Sequence, residues 1–123
     1  MASILIIDDD SAFCRSLCEQ FQESGHDAYG ATGGHEALKI VDSRTVDLVI
    51  TDIVMEFGEG IETIRTLQER APLLPIIAMS GNPDYLHYTE QLGASRVIEK
   101  PFPMSKILEA VNELLGPPPA PES

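Results

Sequence analysis

The sequence predicts an α/β protein, a doubly wound open parallel sheet with helices on both faces. Three observations carry this. Short apolar runs rich in Val and Ile alternate with stretches whose apolar residues recur every three or four positions. The helical stretches stop at Gly or just before Pro. The runs Ile4-Leu5-Ile6-Ile7 and Val46-Asp47-Leu48-Val49-Ile50-Thr51 both end in carboxylate, at Asp8-Asp9-Asp10 and at Asp52. In an open parallel sheet the carboxyl ends of neighbouring strands lie side by side, so acids at matching places converge.

Each element follows in order. Ser3 to Ile7 is a continuous apolar strand. Phe13, Leu17 and Phe21 then recur at intervals of four, which predicts a helix with that stripe inward and Gly25 as its left-handed cap. Asp27 to Ala31 is a weaker second strand, and Thr32 or Gly33 opens a helix with Ala37, Leu38, Ile40 and Val41 on its inner side. Val46 to Thr51 is the third strand; Ile61, Ile64 and Leu67 mark a helix that must stop before Pro72. Pro75 to Met79 is the fourth strand, with proline tolerated at its first position. Tyr85, Tyr88, Thr89 and Leu92 predict a fourth helix ending at Gly93, with both tyrosines in the core. Arg96 to Glu99 is a short fifth strand. Ser105 to Leu115 is the last helix, with Ile107, Leu108, Val111, Leu114 and Leu115 on one stripe and Gly116 as its stop.

Residues 1–116 therefore form one domain, and the proline-rich residues 117–123 an extended tail. Five strand–helix units joined by right-handed crossovers fit the flavodoxin-like strand order 2-1-3-4-5, with the first and third strands adjacent.

Composition narrows the function. Of 123 residues, 43% are hydrophobic and 23% charged, as in a globular rather than a disordered chain. The formal net charge is −12 and the eight Lys and Arg are scattered, which argues against nucleic acid or an anionic membrane surface as a partner. No stretch approaches the roughly 20 apolar residues of a membrane span, and no basic leader precedes the first strand, so a cytoplasmic protein is expected. Cys14 and Cys18 are too few for a zinc site. They lie about 100° around from the Phe13 stripe, which predicts half-buried packing or, with Ser11, a small-residue partner surface. His26, His35 and His87 are dispersed and carry no catalytic role.

Two further polar residues fall on the same rim. Ser80 follows the fourth strand, and Lys100 follows the fifth, just before Pro101. Singly each is ordinary: a helix cap, a solvated lysine, an acidic pair in an acidic chain. Together they place acids, a hydroxyl and an ammonium on four strand ends. Crowded carboxylates are unfavourable without a counter-charge, so the pocket implies a hard cation.

This constellation resembles the receiver domain of two-component response regulators from Ser3 to Leu115. The resemblance is carried by Asp8-Asp9, Asp52 with Gly60 eight positions on, Ser80-Gly81 and Lys100-Pro101-Phe102. It implies that Asp52 is a phosphoacceptor and that Mg²⁺ is held by Asp8, Asp9, Asp52 and the backbone carbonyl of Val54. It implies that Ser80 and Lys100 bind phosphoryl oxygens and that Lys100-Pro101 is a cis peptide. The implied donor is a histidine kinase or a histidine phosphotransfer protein, and the output is altered binding of a downstream protein. Such a domain assists its own phosphorylation and dephosphorylation but is not an enzyme acting on external substrates.

The chain departs from that pattern at Val97, where the family usually has an aromatic ring, and at Glu56, where it usually has proline. Val54 cannot hydrogen-bond an attacking water and Asn82 would have to reach inward to do so, which predicts slow hydrolysis of an aspartyl phosphate. The rival function is a pseudo-receiver, a protein-binding module indifferent to phosphorylation. A haloacid-dehalogenase-like phosphatase needs an acid where Val54 stands, and a flavin protein needs Ser, Thr and Gly where Asp8-Asp9-Asp10 stand. The short start before the first strand and the lack of a second domain after Leu115 favour a stand-alone relay.

Overall fold

The five apolar runs form one parallel sheet in the computed structural model, which describes residues 2–53 and 59–116. The elements are β1 (Ser3–Ile7), α1 (Ser11–Glu23), β2 (Asp27–Ala31), α2 (Gly34–Ser43), β3 (Leu48–Asp52), α3 (Glu59–Arg70), β4 (Ile76–Ser80), α4 (Pro83–Gln91), β5 (Arg96–Glu99) and α5 (Met104–Leu115). The strand order is β2-β1-β3-β4-β5, as the alternating pattern predicts. The expected tail, 117–123, lies outside the described residues, as do Val54 and Glu56. No described helix is long and apolar enough to cross a membrane.

Two cores flank the sheet because alternate strand residues point to opposite faces. Ile4, Ile6, Leu48, Ile50, Ile77 and Met79 meet α1 and α5 on one face. Leu5, Ile7, Val49, Ile76 and Ala78 meet Ala37 of α2 and Ile64 and Leu67 of α3 on the other. Burial on both faces explains why β1, β3 and β4 read as unbroken apolar runs. Each fully buried Ile or Leu contributes about 1.5–3 kcal/mol of transfer free energy. Gly25 (φ 91), Gly93 (φ 104) and Gly116 (φ 85) take the left-handed conformation just after the ends of α1, α4 and α5.

The buried stripe of α1 differs from the expected one. It comprises Cys14, Leu17, Cys18 and Phe21, while Phe13 is only half-buried. The reason lies on β2. A Cβ on Gly30 would sit 2.8 Å from the Cys14 Sγ, so the missing side chain makes room for the thiol. Cys14 Sγ also lies 3.5 Å from the Ile6 carbonyl oxygen. Both cysteines are thus core residues, neither half-buried nor a partner surface.

Helix α4 is also turned relative to expectation. Tyr85 and Tyr88 are exposed, whereas Thr89 is buried and its hydroxyl donates to the Tyr85 carbonyl at 2.8 Å. The Tyr88 hydroxyl accepts from Arg65 Nη2 at 3.4 Å, an interaction available only at the surface.

Strands β3 and β4 begin and end slightly later than their apolar runs, so Asp52 and Ser80 are the last residues within the sheet. Gly60, in the first turn of α3, packs on the backbone directly after Asp52: a Cβ there would lie 2.5 Å from the Ile53 Cα and carbonyl oxygen. Gly60→Ala should therefore destabilise the fold by about 1–3 kcal/mol in urea unfolding, because backbone has to move.

The hydrogen bond with Cys14, then burial, hold the Cys18 thiol well above its ordinary value. A raised folded-state value favours the protonated thiol, so this contribution is complete below the unfolded value of about 8.5 and is lost as pH rises past it.

Candidate functional site

The ends of β1, β3, β4 and β5 meet on one rim because the ladder hydrogen bonds carry on to the last residue. Asp8 N donates to the Ala31 carbonyl at 3.0 Å, Ile53 N to Met79 at 3.1 Å and Lys100 N to Ser80 at 2.8 Å. Asp8, Asp52, Ser80 and Lys100 therefore project from backbone that is fixed before any ligand arrives.

Asp8 is 1% exposed and Asp52 7%, whereas Asp9 faces solvent. Carboxylate oxygens of the three lie within 4.8 Å of one another. Burying a charged carboxylate is costly unless it is paired and hydrogen-bonded. Asp8 has both: Oδ1 accepts from the Asp10 amide at 2.9 Å, and Oδ2 accepts from Lys100 Nζ at 2.7 Å. The same ammonium is 3.6 Å from Asp52 Oδ2. One cation thus serves two buried acids, and Asp9 adds a third negative group at the mouth. Such a cluster of hard oxygen donors suits a small hard cation.

Asp10, the third member of the acidic triplet, has a different task. Its Oδ1 accepts from the Phe13 amide at 3.1 Å and caps α1. Ser80 is wholly buried, and its Oγ accepts from the Asn82 amide at 3.0 Å. The Asn82 side chain accepts from the Asp84 amide at 3.0 Å and caps α4, so it does not reach inward. The Lys100-Pro101 peptide is cis, as the resemblance implies. Val97 packs against the core on the α2 and α3 side.

The structure brings Asp8, Asp9, Asp52 and Lys100 together and sets Ser80 at the end of the neighbouring strand. Val54, the expected carbonyl ligand, lies outside the described residues. One residue near the site was hidden in the sequence. The Phe13 ring lies 4.3 Å from Lys100 Nζ and meets Phe102 edge-on, with centroids 6.2 Å apart at 84°. Its only signal was its place in the first turn of α1, directly after the acids.

Removing the ammonium leaves two buried carboxylates facing each other. Lys100→Met should cost about 2–3 kcal/mol in metal-free urea unfolding.

Comparison with known proteins agrees with this geometry. Residues 4–112 match the response regulator receiver domain family. The chain is 32% identical over 114 residues to sporulation initiation phosphotransferase F of Bacillus subtilis (strain 168), covering 91% of this chain and 92% of that protein. It is 27% identical over 114 residues to alkaline phosphatase synthesis transcriptional regulatory protein PhoP of the same organism, covering 91% of this chain. The chain spans 48% of the length of PhoP and 26% of transcriptional regulatory protein GlrR of Escherichia coli (strain K12). Among solved structures, response regulator TrrA from Thermotoga maritima in complex with Mg²⁺–BeF superimposes with a TM-score of 0.86 at 31% identity, covering 94% of this chain and 100% of that one. The chain therefore belongs to the response regulator receiver domains, the signalling modules of two-component systems.

Proposed function

We propose that Asp52 accepts a phosphoryl group in an Mg²⁺-dependent step from a phosphohistidine on a histidine kinase or a histidine phosphotransfer protein. The observation that carries this is the clustering of Asp8, Asp9 and Asp52 within 4.8 Å of one another, with the Lys100 ammonium beside Asp8 and Asp52. The donor set fits Mg²⁺, which takes hard oxygens and keeps several waters. Asp8, Asp9 and Asp52 would hold it, with the Val54 carbonyl completing the protein ligands. When bound, the ion neutralises charge on the phosphoryl oxygens and removes their repulsion from the acids. TrrA, solved with Mg²⁺–BeF, supports the assignment by likeness.

The chain's own groups account for the rest. An Asp52 carboxylate oxygen attacks phosphorus; the donor's P–N bond breaks, and its imidazole nitrogen keeps the electron pair and takes up a proton. Lys100 is already within 3.6 Å of Asp52 and offers its ammonium to an incoming phosphoryl oxygen. Ser80 Oγ acts as an acceptor toward Asn82, so its O–H remains a donor for a second phosphoryl oxygen.

Signalling follows from that last contact. Drawing Ser80 Oγ toward the phosphoryl group takes it from the Asn82 amide, and Asn82 is the cap of α4. Movement of the hydroxyl thereby reaches the start of α4 without an aromatic ring at Val97. The downstream protein binds differently when α4 is displaced.

Intact-mass measurement after incubation with Mg²⁺ and acetyl phosphate tests the reading. The natural protein should gain one phosphoryl mass; Asp52→Ala, or the natural protein with excess EDTA, should gain none. A natural protein that stays unmodified would leave only a phosphorylation-independent binding module.

A further inference from the structure

We propose that Phe13 is a positioning residue for Lys100: its ring face holds the ammonium over the Asp8–Asp52 pair. This rests on the phosphoacceptor reading above and adds a residue to it. A lysine side chain has four flexible methylenes and a strongly hydrated head, so an ammonium beside an open mouth does not stay in one place unaided. Here Lys100 Nζ has three fixed neighbours. Asp8 Oδ2 lies at 2.7 Å, Asp52 Oδ2 at 3.6 Å, and the Phe13 ring centroid at 4.3 Å with the ammonium over the ring. That distance lies well inside the roughly 6 Å over which an aromatic face attracts a cation.

The ring is itself fixed at both ends. The Phe13 amide donates to Asp10 Oδ1 at 3.1 Å, and the Asp10 amide donates to Asp8 Oδ1 at 2.9 Å. Phe102, two residues beyond Lys100, stands edge-on to the ring at 84°. The contacts close a circuit: Asp8 to Asp10, Asp10 to Phe13, Phe13 to Lys100, and Lys100 back to the other oxygen of Asp8. One carboxylate thus anchors both the ammonium and the backbone that carries the ring. An aliphatic residue at position 13 fills the same space, but it has no negative face to oppose the pull of solvent on the ammonium.

Three proteins test this: the natural chain, Phe13→Leu and Phe13→Tyr. The first readout is the chemical shift of the Lys100 ε-methylene protons, which ring-current shielding moves upfield. Phe13→Leu should return them toward ordinary lysine values, and Phe13→Tyr should keep them shifted. The second is the rate of phosphorylation by acetyl phosphate at saturating Mg²⁺, which Phe13→Leu should lower roughly three- to tenfold and Phe13→Tyr should restore. Thermal midpoints identify any variant that fails to fold, and retention of the ring in Phe13→Tyr separates positioning from simple apolar packing. Equal ε-proton shifts in the natural chain and Phe13→Leu overturn the proposal, as do equal rates in all three proteins. If the natural chain takes up no phosphoryl group, the phosphoacceptor reading fails, and the ε-proton shifts alone decide whether Phe13 positions Lys100.

Discussion

Crowding of like charge at the carboxyl rim is the constraint on which the rest of the structure depends. Two carboxylates about 4 Å apart at a partly screened protein site repel by roughly 4 kcal/mol. Asp8 and Asp52 are both almost fully buried, so solvent relieves little of this. The relief comes from fixed partners: one ammonium, the Asp10 amide and the positive end of α1. Acids held so close cost stability even with that ammonium between them. That same cost is why the oxygen cluster suits a small hard cation.

Rigidity and mobility are divided between strand and loop. The backbone hydrogen bonds at Asp8, Ile53 and Lys100 lock the acids and the lysine to adjoining strands. Beyond β4 the pattern changes, because Ser80 and Asn82 are joined by a single side-chain hydrogen bond, and Asn82 in turn caps α4. A hydroxyl can change partner without disturbing the sheet. The acids and the lysine therefore sit on hydrogen-bonded strand ends, and the link from β4 to α4 runs through an exchangeable side-chain contact.

The sheet and most of the site were legible in the sequence because they rest on local pattern. Ile4 to Ile7 reads as a doubly covered strand, and acids at the ends of two such strands converge when the strands are parallel neighbours, as β1 and β3 are. The faces of α1 and α4 were not legible. The larger Phe makes the more obvious core candidate by side-chain area, yet Cys14 is buried and Phe13 half-buried because Gly30, on another element, leaves a gap sized for sulfur. The tyrosines of α4 share a helical stripe with Thr89, and the stripe does not reveal which side of it meets β4 and β5. The ring of Phe13 over Lys100 was hidden for the same reason, being a contact between distant segments that no spacing rule encodes.

The ion pair between Asp8 and Lys100 joins residues 92 positions apart, near opposite ends of the domain. During synthesis the acids of β1 and β3 exist long before the lysine that balances them. A nascent chain that has made only the first three strand–helix units holds the acids without their counter-charge, at the stage when β1 still lacks its full covering of helices. The balanced rim is thus assembled only once β5 has joined the sheet.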